Sequence, residues 1–355
     1  MDLPLIFALV AAFGIAVYVL ADGFDLGIGI LFLIAPRDQD RDLMMESIAP
    51  LWDGNETWLV LGGTLLLAAF PAAYYVLLPA LYVPVMVMLL SLIMRGVAFE
   101  FRFQAGHFRR VWDFAFAAGS FFAAVSQGFI LGGFIQGVRM QDGAFSGGPF
   151  DFLSMLGLLC AAGLVGGYAL LGAGWLIWKT DGSTQVFGRE VGHAALILTM
   201  VMMVLVSVWT ALTEPEVATR WFAWPQILPQ ALLPIAAAGV ALLLWIRIWE
   251  KHEVLPFLLG MALFLLGFAG LAVSLWPYVV PRHLTIWDGV ADLKTLHISG
   301  YGLSIILPII VAYLGHAYWV FRGKALAARS GYGPSVVPSV AAKLTSSLAT
   351  DLHLS

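Results

Sequence analysis

Three pairs of ionisable side chains interrupt long apolar runs in this sequence. They are Asp22 with Asp25, Asp53 with Glu56, and Arg95 with Glu100. An ionised carboxylate in the middle of a membrane costs on the order of 3 kcal/mol, so such groups normally face other helices and find a partner. Carboxyl groups in a low-dielectric interior can hold and release protons near neutral pH. The pattern therefore indicates buried ion pairs, a route for protons, or both.

The composition requires a lipid environment for most of the chain. Of 355 residues, 61% are hydrophobic and 11% are charged, and the mean hydropathy is +0.91. In a soluble domain about one quarter of the residues are charged, and this much apolar surface cannot be buried in a water-soluble core. We therefore predict an all-α polytopic protein in the lipid bilayer, with no nucleic-acid partner.

Two local features limit the chemistry and processing of the chain. The single cysteine, Cys160, excludes a disulfide framework within the chain and a multi-cysteine metal site. The first apolar run follows Asp2 and no Lys or Arg, which argues against a cleaved signal peptide.

Nine apolar segments reach the length of about 20 residues that a membrane-spanning helix needs. They are residues 5–34, 51–71, 74–100, 113–138, 151–178, 191–213, 227–249, 255–278 and 298–321. Residues 1–321 are predicted to form one transmembrane domain, and residues 322–355 a loosely ordered tail. Glycines four residues apart, such as Gly23 and Gly27, predict close helix packing. Packing within the chain and docking of another subunit are both compatible with that spacing.

The distribution of Lys and Arg predicts the orientation. With nine spans, the loops on one side and the tail carry 13 of these residues, and the loops on the other side carry four. The four are Arg139, Arg220, Arg282 and Lys294. Because cytoplasmic loops are enriched in Lys and Arg, we predict a periplasmic N-terminus and a cytoplasmic C-terminal tail.

This orientation places the three ionisable pairs at one level. The first span runs inward, the second starts at the inner surface and the third returns to it. Within the first span, Tyr18, Asp22, Asp25 and Gly29 follow steps of four, three and four, so they share one helix face. A proton-uptake route needs a ladder of carboxylates that begins at the cytoplasmic surface. The candidates are Asp22, Asp25, Asp53, Glu56 and Glu100.

Each pair also has a structural explanation that the spacing leaves open. Asp53 and Glu56 could form the reciprocal cap of the second span. The two acids of the first span could form a structural ion pair with Arg95 and conduct no protons. Glu100 could be a solvated residue at the membrane interface.

Histidine would have to supply the ligands of any haem in this chain. Of the seven histidines, only His193 and His316 lie near span ends where they could reach an iron. No histidine pair on facing helices is evident, so we expect no haem or other metal to be ligated by this chain.

Several segments carry a family resemblance. The most specific are residues 22–29 (DGFDLGIG) and 47–59 (SIAPLWDGNETWL), followed by residues 95–102 (RGVAFEFR). Residues 119–121 (GSF), 276–281 (WPYVVP) and 285–288 (TIWD) continue the pattern in chain order. Together they resemble subunit II of cytochrome bd-type ubiquinol oxidase. The short connection between spans six and seven resembles the cyanide-insensitive branch of that family.

The resemblance implies an architecture and an activity. Subunit II of this family has nine helices, arranged as two four-helix bundles plus one peripheral helix, in the bacterial inner membrane. It ligates no haem, can hold a structural quinone, and supports subunit I, which carries two b-type haems, one d-type haem and the quinol site. The complex oxidises ubiquinol, reduces O2 to water with cytoplasmic protons, and can include a small accessory subunit.

The resemblance also implies roles for four positions. Asp25, Asp53 and Glu100 lie where the family's intersubunit proton route would run, and some relatives have Asp where Glu100 stands. Trp58 lies where an apolar oxygen path to the d-type haem would start.

Two other classes of protein share some of these features. A proton-coupled transporter also uses buried acids, but its repeats place broken helices near the midplane, and no second Asp-Gly-Phe-Asp segment is evident. A self-sufficient cytochrome would need iron ligands that the histidines do not supply.

Overall fold

Twelve α-helices and two short hairpins form the part of the chain described by this computed structural model, residues 2–225 and 227–325. The helices are α1 (Leu3–Phe32), α2 (Asp38–Ile48), α3 (Trp52–Ala69), α4 (Pro71–Ala80), α5 (Tyr82–Arg102), α6 (Arg109–Gln136), α7 (Met155–Lys179), α8 (Gly182–Thr213), α9 (Pro215–Phe222), α10 (Ile227–Trp249), α11 (Leu255–Leu275) and α12 (Leu293–Val320). The antiparallel hairpins are β1 (Met140–Gln141) with β2 (Ala144–Phe145), and β3 (Tyr278–Val280) with β4 (Leu284–Thr285).

The helical polytopic class predicted from composition is confirmed. Within the described residues, eight helices are long and apolar enough to cross a membrane: α1, α5, α6, α7, α8, α10, α11 and α12. The predicted second span corresponds to α3, which has 18 residues and carries its polar side chains in the first turns. A ninth membrane crossing by α3 stays a prediction.

The prediction of one continuous helix over residues 74–100, the third span, was wrong. The chain forms α4 and α5 instead, with the break at Leu81. Pro84 has no N–H and cannot donate to the carbonyl of Ala80, and the loss of this helical hydrogen bond favours a break at this point. Two further helices, α2 and α9, lie in segments predicted as loops. The predicted tail begins at residue 322, and its residues after 325 lie outside the described part of the chain.

The long helices pack in two groups that meet along α7. Helices α1, α3, α5 and α6 pack against one another, as do α7, α8, α10 and α11. Both α1 and α6 lie against α7, and α12 packs on α3. Phe24 of α1 stacks on Trp175 of α7 with 4.2 Å between ring centroids. This places the polar face of α1 between α3, α5, α6 and α7.

Glycine at two crossings allows the helix backbones to touch. A Cβ atom on Gly27 of α1 would lie 1.8 Å from the carbonyl oxygen of Tyr168 on α7. One on Gly128 of α6 would lie 2.2 Å from the Cα of Ala161, also on α7. These glycines therefore serve packing within the chain, one of the two alternatives that their spacing left open.

We expect Gly27→Ala to reduce the yield of folded protein. The added methyl group must push α1 away from α7, and overpacking of this kind costs about 1–3 kcal/mol. Gly63→Ala is the matched control, because a Cβ at Gly63 of α3 meets nothing within 4 Å. Fluorescence size-exclusion chromatography of the two variants in detergent tests this, and equal yields would contradict it.

Ion pairs and hydrogen bonds hold the short helix α2 against one end of the bundle. Asp42 accepts from Arg102 of α5 at 2.7 Å. Asp40 is 3% exposed and accepts from the hydroxyls of Ser183 and Thr184 at 2.6 and 2.8 Å. Helix α2 thus joins α5 to α8 and leads directly into α3. This sets where the first turn of α3 begins.

Candidate functional site

A cavity of about 350 Å³ opens at the end of the bundle where α3 begins. Its walls are residues 49–54, Glu100 of α5, and Tyr313, Leu314 and Ala317 of α12. Asp53 and Glu100, both exposed, therefore share one cavity. They meet because Trp52 stacks on Phe99 of α5 with ring centroids 5.3 Å apart.

The start of α3 contradicts the capping explanation for Asp53 and Glu56. The cap residue is Leu51, no side chain caps the helix, and Asp53 lies within the first helical turn. A carboxylate in that turn still interacts favourably with the helix dipole. The Asp53 side chain lies at the cavity wall, while Glu56 bonds to an arginine. Capping is therefore not the role of either acid.

Arg95 of α5 joins two helices by ion pairs. Its Nη1 lies 2.7 Å from Asp22 Oδ1 on α1, and its Nη2 bonds to Glu56 Oε1 on α3. Arg95 is 2% exposed and Asp22 is 0% exposed, so water does not screen this pair. Glu56 is half-buried, with 27% of its side chain exposed. The cluster connects α1, α3 and α5 near the level of the cavity.

Asp25 has a different environment from Asp22. It is fully buried, and its Oδ2 accepts a hydrogen bond from Asn55 Nδ2 at 2.7 Å. The Asn55 Oδ1 accepts in turn from the hydroxyl of Tyr318 on α12 at 2.8 Å. Asp22 therefore faces a guanidinium, whereas Asp25 faces a neutral amide. A carboxyl group bonded only to neutral partners can exchange its proton at a smaller electrostatic cost than one in an ion pair.

A second group of neutral polar residues lies beside Asp22. The hydroxyl of Tyr168 on α7 donates to Gln127 Oε1 at 2.5 Å, and Gln127 Nε2 donates to the Tyr18 hydroxyl at 2.8 Å. Tyr18 is one turn before Asp22 on the same face of α1, as its spacing predicts. All three residues of this group are buried.

Four residues of these networks had no role predicted from the sequence: Asn55, Gln127, Tyr168 and Tyr318. Asn55 lies inside the polar motif, and Gln127 is an amide inside an apolar span, so both had a visible signal. The two tyrosines had none, because tyrosine in a membrane helix is ordinary.

Trp58 lies in apolar surroundings one turn beyond Asn55. It is 4% exposed and meets Phe13 edge-on, with 5.7 Å between ring centroids. Tyr18 and Leu314 belong to the same cluster of buried side chains. The structure thus places an indole and apolar side chains beside the polar network.

The two histidines singled out from the sequence pack against tryptophan rings. His193 Nδ1 lies 3.0 Å from the carbonyl oxygen of Arg189, and its ring packs against Trp245 and Trp249. His316 packs against Trp319. No histidine lines the cavity beside Asp53, nor a second cavity near Tyr82. That this chain ligates no haem stays a prediction.

The family model described as cytochrome bd terminal oxidase subunit II matches residues 3–321. The chain belongs to this family. The match covers both groups of helices, α12 and every residue of the site described above. As a member, the chain is a subunit of an oxidoreductase complex, in which subunit II works with subunit I.

Curated relatives agree with this assignment. The chain is 28% identical over 358 residues to cytochrome bd-I ubiquinol oxidase subunit 2 of Escherichia coli K12, covering 86% of this chain and 91% of the relative. It is 37% identical over 129 residues to cytochrome bd ubiquinol oxidase subunit 2 of Bacillus subtilis, covering 36% and 37% of the two chains. The predicted family resemblance is confirmed, and the terminal-oxidase family is favoured over the transporter alternative.

The fold is also that of a solved structure. A chain in the bd oxidase structure from Geobacillus thermodenitrificans matches with a TM-score of 0.74 at 17% identity, covering 90% of this chain and 99% of that one. At this identity the match supports the helical arrangement only.

Proposed function

We propose that this chain is the haem-free subunit II of a cytochrome bd-type ubiquinol oxidase in a bacterial inner membrane. Relatives that match most or part of the chain are named as ubiquinol oxidase subunits, and the two candidate histidines, His193 and His316, pack against tryptophan rings. In this proposal subunit I holds two b-type haems and one d-type haem, and those haems supply the reduction of O2 when bound there.

The proposed topology has nine crossings, with α3 as the ninth, a periplasmic N-terminus and a cytoplasmic C-terminus. The excess of Lys and Arg on one side supports it. Contacts at the proposed cytoplasmic end bring loops of that side together: Lys324 pairs with Asp181 at 2.5 Å and with Glu253 at 3.0 Å. At the other end, Arg282 pairs with Glu214 at 2.8 Å. The two groups of four helices, with α12 beside them, support the family's two bundles and peripheral helix.

The proposed contribution of this chain to the reaction is a cytoplasmic proton-uptake route. Asp53 and Glu100 collect protons in the cavity, and Asp25 holds a proton inside the bundle. Gly54 and Ala317 line the cavity. The residues that follow them, Asn55 on α3 and Tyr318 on α12, belong to the hydrogen-bonded group around Asp25. This adjacency of a solvated acidic cavity and a buried carboxyl group is the observation that carries the proposal.

Asp22 and Glu56 have an indirect role in this proposal. Their ion pairs with Arg95 fix α1 and α3 against α5. The positive charge of Arg95 also acts on the proton affinity of the neighbouring carboxyl groups. Trp58 is proposed to begin an apolar path for O2, because its indole is buried and packs against Phe13 and Leu314. A quinone in this chain and a small accessory subunit stay predictions from the resemblance.

Affinity purification from the native membrane tests the assignment. A tagged form of this chain is expected to bring down a second membrane subunit, the absorption bands of b- and d-type haem, and ubiquinol oxidase activity. The same purification from cells that lack the second subunit is expected to yield this chain without haem. Haem absorption and ubiquinol oxidation by the chain alone would contradict the proposal.

A further inference from the structure

The hydroxyl of Tyr318 determines how the Asn55 amide faces Asp25. A primary amide presents two N–H donors on one side and an acceptor oxygen on the other. Asn55 Oδ1 accepts from Tyr318, while Nδ2 donates to Asp25 Oδ2 at 2.7 Å and to the carbonyl of Ala21 at 3.4 Å. Rotating the amide by half a turn would place Oδ1 against two acceptor oxygens. Only the observed orientation lets both Oδ1 and Nδ2 of Asn55 form their hydrogen bonds.

Tyr318 comes from α12, a helix whose side chains are mostly not buried. Within α12, the buried residues are Leu296 and Leu314. A Cβ at Gly54 of α3 would lie 2.4 Å from Leu314 Cδ2, so glycine lets α12 approach α3 at this point. One turn further along α12, the approach brings the Tyr318 hydroxyl to Asn55. The contact between α12 and α3 is thus built around the amide that bonds to Asp25.

We propose that Tyr318 is a positioning residue for proton uptake, acting by holding the Asn55 amide in the orientation that donates to Asp25. The inference rests on the proposed route through Asp25. Without the tyrosine hydroxyl, Asn55 Oδ1 loses its donor and the amide can turn its oxygen toward the carboxyl group. Asp25 then loses the hydrogen bond that stabilises its ionised form, and releasing its proton becomes harder.

The test compares Tyr318→Phe in the complete oxidase with and without Asp25→Asn. Turnover per haem is expected to fall by about three- to tenfold in Tyr318→Phe, the range of one hydrogen bond between neutral groups. In the Asp25→Asn background the same substitution is expected to change turnover little, because the carboxyl group through which Tyr318 acts is absent. Tyr301→Phe, an exposed tyrosine of α12, is the matched control and is expected to keep normal turnover.

Infrared difference spectroscopy adds a readout that a purely structural role would not move. The carboxyl band that disappears in Asp25→Asn is expected to shift in Tyr318→Phe and to stay in place in Tyr301→Phe. Because the band is normalised to haem content, a reduced yield of complex does not obscure the result.

The possible failures are distinct. Equal losses of turnover from Tyr318→Phe in both backgrounds, with an unshifted carboxyl band, would overturn the positioning role. Normal turnover in Tyr318→Phe together with low turnover in Asp25→Asn would also overturn it, while leaving the proton route intact. Normal turnover in Asp25→Asn would overturn the route itself.

Discussion

Replacing Arg95 with Met is expected to prevent most of the chain from reaching an assembled complex. The substitution leaves the fully buried Asp22 carboxylate without a cation, and Asp22 Oδ2 already lacks a hydrogen-bond partner. Removing one member of a buried ion pair costs about 3–5 kcal/mol. Native proteins are stable by only about 5–15 kcal/mol. We therefore expect a large loss of haem-containing complex after purification, and a lower melting temperature for the remainder.

Two further variants show whether the loss of yield comes from the unpaired buried charge or from the loss of a long side chain. Arg110→Met removes an exposed arginine near the start of α6 and is expected to leave yield and melting unchanged. Combining Arg95→Met with Asp22→Asn removes both buried charges, so part of the yield should return. If Arg95→Met assembled as well as the Arg110→Met control, the ion pairs would not be what holds α1, α3 and α5 together.

The helical membrane class, and the grouping of the polar side chains near one end of the helices, could be predicted from the sequence, because both depend on composition and helical spacing. Apolar runs of about 20 residues are long enough to cross the bilayer as helices. The four-, three- and four-residue steps from Tyr18 to Gly29 place these side chains on one face of the helix. The order of the spans also predicted that Asp53 and Glu100 lie at one level, and their location at the inner surface stays a prediction. The structure brings them to one cavity.

The partners of the two buried acids could not be predicted, because they depend on how the helices pack. Spacing leaves Asp22 and Asp25 equivalent, one turn apart on α1. Packing directs Asp22 toward Arg95 on α5 and Asp25 toward Asn55 on α3. Tyr318 is 263 residues from Asn55 along the chain, and no local pattern connects them. The break at Leu81 was missed for a different reason, since the apolar run is continuous through Pro84.

This difference between the acids bears on which of them can move a proton. A carboxylate paired with a buried guanidinium serves as its counter-charge, so protonating it would leave the cation without a partner. Asp22 forms such an ion pair with Arg95. Asp25 has Asn55 as its hydrogen-bond partner, and because this amide is neutral no ion pair is broken when a proton binds to Asp25. Asp25 is therefore the better placed of the two buried acids to move a proton.

Replacing Asp53 with Asn is expected to lower ubiquinol oxidase turnover while the haems still assemble. Asp53 is exposed at the cavity wall, and its side chain does not cap α3, so the fold should tolerate an isosteric amide. The amide cannot carry a proton into the bundle. We expect turnover to fall about tenfold, equivalent to about 1.4 kcal/mol in the barrier. The solvent deuterium isotope effect on turnover should rise, because proton uptake becomes the slow step.

Two other acids provide the comparison for this prediction, one in the cavity and one outside it. Glu100→Gln alters the other acid of the cavity and should also lower turnover, and the double variant should lose less than the product of the two effects because both acids serve one entrance. Asp142→Asn changes an exposed acid in the β1–β2 turn, where Asn also tolerates the positive φ of 52°, and turnover should be unchanged. Normal turnover and an unchanged isotope effect in Asp53→Asn would mean that protons enter elsewhere. Loss of haem instead would mean that this carboxylate supports the fold, as Arg95 does.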